Sequence, residues 1–105
     1  MTFENMLPHL KGGEVVRRAL FAKKFVIFMQ VRVDISAELA MGLKSMPKNM
    51  KLLLLDAEKG ITYNNQILVY DFSTMLATNY TFSSNDINAD DWEIIDITEH
   101  YNHAR

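Results

Sequence analysis

The chain has 105 residues, of which 49% are apolar and 23% are charged, and these values are typical of one folded domain with a single core. It contains no cysteine, which excludes disulfides and thiolate chemistry and favours an intracellular protein. The net charge of −2 argues against binding to a nucleic acid polymer, because no basic field attracts a polyanion.

The first predicted element is a short amphipathic helix. Apolar residues recur at helical spacing from Phe3 onward, Thr2 is a suitable N-cap, and Gly12-Gly13 supplies a stop. Pro8 lies inside this helix and removes one backbone hydrogen bond, so we expect the last turn to be bent or 3₁₀-like.

Two strands are predicted next, at residues 15–19 and 25–34, and a short linker between them suits a hairpin. The alternation of side chains in the second strand predicts a core face made of Phe25, Ile27, Met29, Val31, Val33 and Ile35. It leaves Val26 and Phe28 on the opposite face. A helix of the same subunit or another subunit could cover that face, and the sequence leaves both open.

The middle of the chain predicts two helices. Residues 36–44 form a helix with Ser36 as its N-cap, and residues 47–59 form another, with Pro47 in the first turn and Gly60 just after its end. The four leucines at 52–55 are compatible with a buried strand as well, but the flanking charges favour a helix.

The last third of the chain predicts strands at residues 61–70, 75–82 and 92–97, with a turn at 71–74. Ile94 and Ile95 break the alternation of the final strand, which indicates a bulge or a strand covered on both faces. Residues 83–91 fit one or two helical turns, because Ser83 followed by Asp86 resembles a capping box.

Together these elements predict an α+β protein with a mainly antiparallel sheet of about five strands and two or three helices. We expect a single domain over residues 1–105, with 99–105 as a frayed tail. No signal peptide is visible, and no apolar run reaches the roughly 20 residues that span a bilayer. We therefore expect a cytoplasmic protein with no membrane contact.

Catalytic and metal-binding patterns are weak. His9 is expected at the surface, and the other two histidines lie in the predicted tail, so no nucleophile has a positioned base. The acidic residues between 86 and 96 do not have the spacing of an EF-hand loop, and solvated charges and helix caps explain them better. We expect no metal, no cofactor and no enzyme activity; a metal-dependent nucleotide-processing enzyme is the weaker alternative.

The remaining polar and aromatic residues suit a nucleotide, with core packing as the alternative for the aromatics. Possible phosphate partners are Arg17, Arg18, Lys23 and Lys24; possible stacking faces are Phe21, Tyr63 and Tyr80; directional hydrogen bonds could come from Asn64, Asn65, Gln66 and Ser83. Arg18 shares a strand face with Val16, so we expect it to be partly buried and to need an anion. Asp86, Asp91 or a ligand phosphate could supply that anion.

Two stretches of the chain resemble a known family. The first has a helix from Phe3 and then Gly13, Val16, Arg18 and Phe21; the second contains Tyr80-Thr81-Phe82-Ser83, Asp86, Ala89 and Asp91-Trp92. This pattern is similar to that of the small phage proteins of the second Thoeris anti-defence type. Relative to compact members, residues 36–60 look like a helical insertion.

The resemblance implies an antiparallel α+β domain that forms homo-oligomers, commonly tetramers, in the host bacterial cytoplasm. It implies that the protein sequesters a cyclic nucleotide immune signal, a cyclic ADP-ribose isomer or a cyclic dinucleotide, without cleaving it. The expected ligand-binding residues are Arg18, Phe21, Tyr63, Asn65, Tyr80, Ser83 and Asp86. The alternative function is binding to a host protein through the face that carries Val26 and Phe28.

Overall fold

The computed structural model describes residues 1–96, and the chain forms two compact units. Among the described residues, the first unit comprises Met1–Gln30 and 66–96, and the second comprises Val31–Asn65. The expectation that residues 1–105 form a single domain stays a prediction, and the predicted tail at 99–105 lies outside the described residues. Within residues 1–96, no helix has the length and apolar character needed to cross a bilayer.

The described residues form four α-helices and seven strands. In chain order these are α1 (Phe3–Lys11), β1 (Val16–Arg18), β2 (Phe25–Gln30), β3 (Val33–Ile35), α2 (Ala37–Met41), α3 (Lys48–Ala57), β4 (Ile61–Tyr63), β5 (Gln66–Asp71), β6 (Leu76–Asn79), α4 (Ser84–Asn88) and β7 (Trp92–Ile94). A 3₁₀ turn, Ala19–Phe21, follows β1. The predicted α+β class is confirmed, and the turns predicted at 83–91 form α4.

The first unit is built on a five-stranded antiparallel sheet in the order β6-β5-β2-β1-β7. Helix α1 packs on one face of this sheet, where Met6 and Leu10 join Val16, Ile27 and Trp92 in a fully buried core. This arrangement confirms that Ile27 faces the core. Because side chains alternate along a strand, Val26 and Phe28 lie on the opposite face.

Helix α1 begins and ends as predicted. The Thr2 side chain accepts a hydrogen bond from the Asn5 N–H, and Gly12 forms the C-cap. The helix is α-helical through Lys11 although Pro8 lies inside it, so the 3₁₀-like alternative for its last turn is wrong, and a bend there stays a prediction. The turn after Pro8 still closes, because the Gly12 N–H donates to the Pro8 carbonyl at 2.9 Å.

The second unit contains α2, α3 and a two-stranded antiparallel sheet of β3 and β4. Ala40, Met46 and Leu54 form its core. Ser36 is the N-cap of α2, as predicted, and Pro47 is the N-cap of α3 rather than part of its first turn. Gly60 approaches the backbone so closely that a Cβ atom there would lie 2.2 Å from the Ile35 carbonyl oxygen.

Two of the predicted strands are each divided between the two sheets. The segment predicted as one strand at 25–34 forms β2 and β3, and the segment 61–70 forms β4 and β5. Val31 and Val33 are 68% and 42% exposed, so their predicted places on the core face are wrong. The chain leaves the first sheet at this point, and the Arg32 N–H donates to the Asn65 side chain instead of to a sheet partner.

Candidate functional site

Strand β1 ends with Arg18, the first residue of the candidate site in chain order. Val16 is fully buried, and Arg18 lies on the same side of the strand, opposite Trp92 of β7. The Arg18 side chain is only 13% exposed. The prediction of a partly buried guanidinium is therefore confirmed.

Asp86 is held by the capping box at the start of α4. The Ser83 side chain accepts a hydrogen bond from the Asp86 N–H at 3.1 Å, and the Asp86 carboxylate accepts one from the Ser83 N–H at 3.0 Å. The predicted capping box is confirmed. Because both bonds are formed within four residues, the local sequence alone fixes this carboxylate at the first turn of the helix.

The buried carboxylate of Asp86 is the centre of a partly buried polar network. Arg18 donates through Nη1 to Asp86 Oδ1 at 3.0 Å and through Nε to Asp91 Oδ1 at 2.9 Å, and the Tyr80 hydroxyl donates to Asp86 Oδ2. The second oxygen of Asp91 accepts the Leu20 N–H at 3.1 Å. Asp86 and Asp91 therefore supply the negative charge that a partly buried Arg18 was predicted to need.

Aromatic side chains surround this network on its apolar side. The indole N–H of Trp92 donates to the backbone carbonyl of Asp86 at 2.9 Å in a buried position. The ring of Phe21 meets the rings of Tyr80 and Trp92 edge to face, with centroids 6.4 and 6.3 Å apart. Phe21 packs against the core but is only partly buried, so part of this residue remains accessible to solvent.

The environment of the network changes the pKa values of its members. Burial alone would raise the pKa of Asp86, but hydrogen bonds from Tyr80, Ser83 and Arg18 outweigh burial and hold this pKa below its usual value. The hydrogen bond from Arg18 likewise lowers the pKa of Asp91. Burial, followed by the neighbouring Asp86 carboxylate, raises the pKa of Tyr80 far above 10.

These shifts predict how the stability depends on pH. The lowered pKa values of Asp86 and Asp91 contribute stability that is present above the unfolded-state value of 3.8 and is lost as the pH falls below it. The raised pKa of Tyr80 contributes stability that is present below pH 10 and is lost at higher pH. Melting temperatures measured between about pH 2.5 and 11 should therefore fall at both ends.

Two substitutions identify the residues that cause the fall in melting temperature at low pH (the acid limb) and at high pH (the alkaline limb). Asp91→Asn should make the acid limb shallower, because it removes one of the two titrating aspartates and Asp86 remains. Tyr80→Phe should flatten the alkaline limb, because it removes the titrating hydroxyl. Asp90→Asn is the matched control, because it removes an exposed carboxylate that lies outside the network. A wild-type protein that melts at a higher temperature at pH 3 than at pH 6 contradicts the prediction.

The structure brings together five of the seven predicted site residues. Arg18, Phe21, Tyr80, Ser83 and Asp86 all lie in the first unit and are linked by the contacts described above. The other two lie in the second unit: Tyr63 pairs with Val33 in β4, and the Asn65 side chain accepts the Arg32 N–H. The role of all seven in ligand binding stays a prediction.

Asp91 and Trp92 complete the site, although the predicted set of site residues did not contain them. Asp91 holds the guanidinium of Arg18, and Trp92 fixes the backbone of Asp86. The sequence contains two features that identify Asp91 and Trp92. A partly buried Arg18 needs an anion, which Asp91 can supply, and the Asp-Trp pair is part of the family pattern.

The acidic run at 86–96 does not form a metal site in the part that the structure describes. Arg18 binds the carboxylates of Asp86 and Asp91, while Glu93 lies on the other side of the sheet, 3.9 Å from the guanidinium of Arg17. No group of three or more histidine, aspartate or glutamate side chains converges within residues 1–96.

The fold and the network define a small α+β domain in which a strand near the start of the chain and a capped turn near its end meet around one carboxylate. A family model for the Tad2-like family, the Thoeris anti-defense 2-like domain, matches residues 1–95. The chain belongs to this family, which confirms the resemblance and makes it an anti-defence protein. A search of curated proteins finds no match to the chain.

Proposed function

We propose that this protein binds a cyclic nucleotide immune signal, a cyclic ADP-ribose isomer or a cyclic dinucleotide, and holds it without cleaving it. The observation that carries the proposal is the convergence of the two family segments around Asp86, beside the partly exposed ring of Phe21. In this proposal the protein works in the host bacterial cytoplasm, needs no cofactor and removes the signal from the host's sensor.

The buried network and its surroundings have different roles in this proposal. Arg18 already forms ion pairs with two carboxylates, so in this proposal its main role, with Asp86, is to position the turn at 80–92. The exposed Lys23 and Lys24, which follow the Phe21 turn, are better placed to meet phosphates in solution. Phe21 then offers its exposed edge to a base or ribose.

The other predicted contacts come from polar and aromatic groups with some exposure. Ser83 is exposed and Tyr80 is partly buried, and both donate a hydrogen bond to the Asp86 carboxylate. The partly buried Tyr63 and the exposed Asn65 belong to the second unit, and each is proposed as a ligand contact by itself. Their hydrogen bonds would select one signal over another, because a site that pairs with a particular hydroxyl or amine rejects ligands that lack it.

A protein that sequesters a signal must bind it more tightly than the sensor does, which requires nanomolar affinity, about −12 kcal/mol. Calorimetry with cyclic ADP-ribose isomers and cyclic dinucleotides tests this directly. We expect one class to bind at nanomolar concentration, and the ligand released by heating should have its original mass. Binding of none below about micromolar, or release of a cleaved product, would overturn the proposal.

A pair of matched variants tests the phosphate contacts. Lys23→Gln with Lys24→Gln should weaken binding at least about tenfold and reduce its salt dependence, because two charge-assisted contacts are lost. Lys44→Gln with Lys59→Gln removes the same charge from the second unit and is the control. All four lysines are exposed, so the melting temperature should not change in either variant. Equal affinities of the two double variants would remove these lysines from the site.

The homo-oligomer implied by the family is part of the proposal. The sheet face opposite α1 suits such contacts, because Val26 pairs with Tyr70 and Phe28 pairs with Leu68 on that side. The same face supports the alternative function, binding of a host protein. Light scattering distinguishes the two: a stable homo-oligomer that releases a nucleotide supports sequestration, whereas a monomer that retains a host protein in a pull-down supports the alternative.

A further inference from the structure

Helix α3 of the second unit exposes most of its apolar surface. Leu54 is buried in the core of that unit, but Leu52, Leu53 and Leu55 are 47%, 65% and 49% exposed. Three half-exposed leucines on a helix of ten residues form a surface that usually has a partner, because apolar side chains gain free energy when they leave water.

The charged residues at the two ends of α3 have the signs that the dipole of this helix disfavours. Its first turn contains no acidic residue and its last turn no basic residue; instead Lys48 begins the helix and Asp56 lies in the last turn. The other three described helices have an acidic residue in the first turn, where the helix dipole favours it. Within residues 1–96, neither Lys48 nor Asp56 belongs to an ion pair.

We propose that α3 pairs in antiparallel orientation with α3 of a second copy of this chain, around a two-fold axis at Leu52. Lys48 lies one turn before Leu52 and Asp56 one turn after it, so all three share one face of the helix. The two-fold axis then places Lys48 opposite Asp56 of the second copy, twice in each pair. Each charge also meets the favourable end of the neighbouring helix's dipole.

The packing of the leucines and the pairing of Lys48 with Asp56 thus both favour a second copy of the chain in antiparallel orientation. A parallel pair would place Lys48 opposite Lys48, and a partner without an acidic end would leave the lysines unpaired. The contact is small, since a helix of ten residues offers less than the roughly 800 Å² per partner of a standard interface. The pairing is therefore weak and depends on protein concentration. It goes beyond the proposed function and does not depend on it.

Sedimentation equilibrium of the whole chain between about 10 and 500 µM tests the pairing. Leu52→Gln should weaken the concentration-dependent step at least about tenfold, because the side chain at the axis becomes polar. Leu76→Gln is the matched control, since Leu76 is 62% exposed on β6, and it should behave as the wild type. Glutamine favours helix and Leu52 is exposed, so circular dichroism should show both variants folded.

Charge reversal tests the orientation. Asp56→Lys alone should weaken the association several-fold, because lysines then face each other across the axis, and Lys48→Glu with Asp56→Lys should restore it to within about twofold of the wild type. A wild-type protein without a concentration-dependent step overturns the proposal, and so does a Leu52→Gln variant that associates like Leu76→Gln. Failure of the double variant to recover overturns the antiparallel arrangement. None of these outcomes bears on ligand binding, which is measured separately.

Discussion

Replacing Asp86 with asparagine should lower the free energy of unfolding by about 3 kcal/mol, because it leaves the buried guanidinium of Arg18 without one of its two anions. The asparagine has nearly the same shape, but every partner of the Asp86 carboxylate is a donor: Arg18 Nη1, the Ser83 N–H and the Tyr80 hydroxyl. Whichever way the amide turns, its NH₂ group faces a donor, and at least one buried hydrogen bond is lost.

Urea unfolding followed by tryptophan fluorescence measures this loss well, because Trp92 is the only tryptophan and its indole binds the backbone of Asp86. Asp90→Asn is the matched control. It removes the same charge from an exposed position close by, so its stability should stay within about 0.5 kcal/mol of the wild type. An Asp86→Asn variant as stable as this control would show that the network contributes little to folding.

The same variant separates a structural role from a role in binding. If Asp86 only positions the turn at 80–92, then Asp86→Asn, measured well below its melting temperature, should still bind the signal with a moderate loss of affinity. If the carboxylate contacts the ligand, then affinity should fall far more than the loss of stability explains. Calorimetry on the folded variant decides between the two.

The sequence predicts this site well where the signals are local. The capping box needs only Ser83 and Asp86, three residues apart, and the buried position of Arg18 follows from the alternation of side chains that begins at Val16. The convergence itself is not local, since Arg18 and Asp86 are 68 residues apart in sequence. The sequence links these two residues only indirectly, because a guanidinium with little exposure to water needs a nearby anion.

The division of two predicted strands could not be seen in the sequence. Val31 is β-branched and continues the alternation of the strand before it, so local preference favours one long strand. Which sheet a residue joins depends on its partners across the strand, and these come from distant parts of the chain. Tyr63 and Asn65 became members of the second unit for the same reason, whereas Gln66 begins a strand of the first.

The residues that carry the family pattern are mainly those that hold the fold. Arg18, Asp86, Asp91 and Trp92 bind one another through charge and hydrogen bonds at low exposure, so substitutions there damage the protein before any ligand is involved. The family pattern therefore identifies the domain, while ligand selectivity should depend on the exposed residues around it. For this reason the proposed function gives the phosphate contacts to Lys23 and Lys24 rather than to Arg18.

Replacing Trp92 with alanine should have the largest effect of any substitution in the core, a loss of about 4 kcal/mol in the free energy of unfolding. The indole is only 1% exposed; its ring meets those of Phe3, Phe21 and Phe82, and its N–H satisfies the Asp86 carbonyl. The substitution leaves a cavity between α1 and the sheet and also leaves that carbonyl without its donor.

Trp92→Phe divides this loss into its two parts. It keeps an aromatic ring in the core but removes the N–H donor, so we expect a loss of about 1–2 kcal/mol. Phe72→Ala is the control for removal of an aromatic ring, because Phe72 is exposed in the turn after β5, and it should change stability little. Circular dichroism during urea unfolding measures all three variants without relying on the tryptophan. If Trp92→Ala unfolds within about 1 kcal/mol of Phe72→Ala, the indole is not the centre of the core.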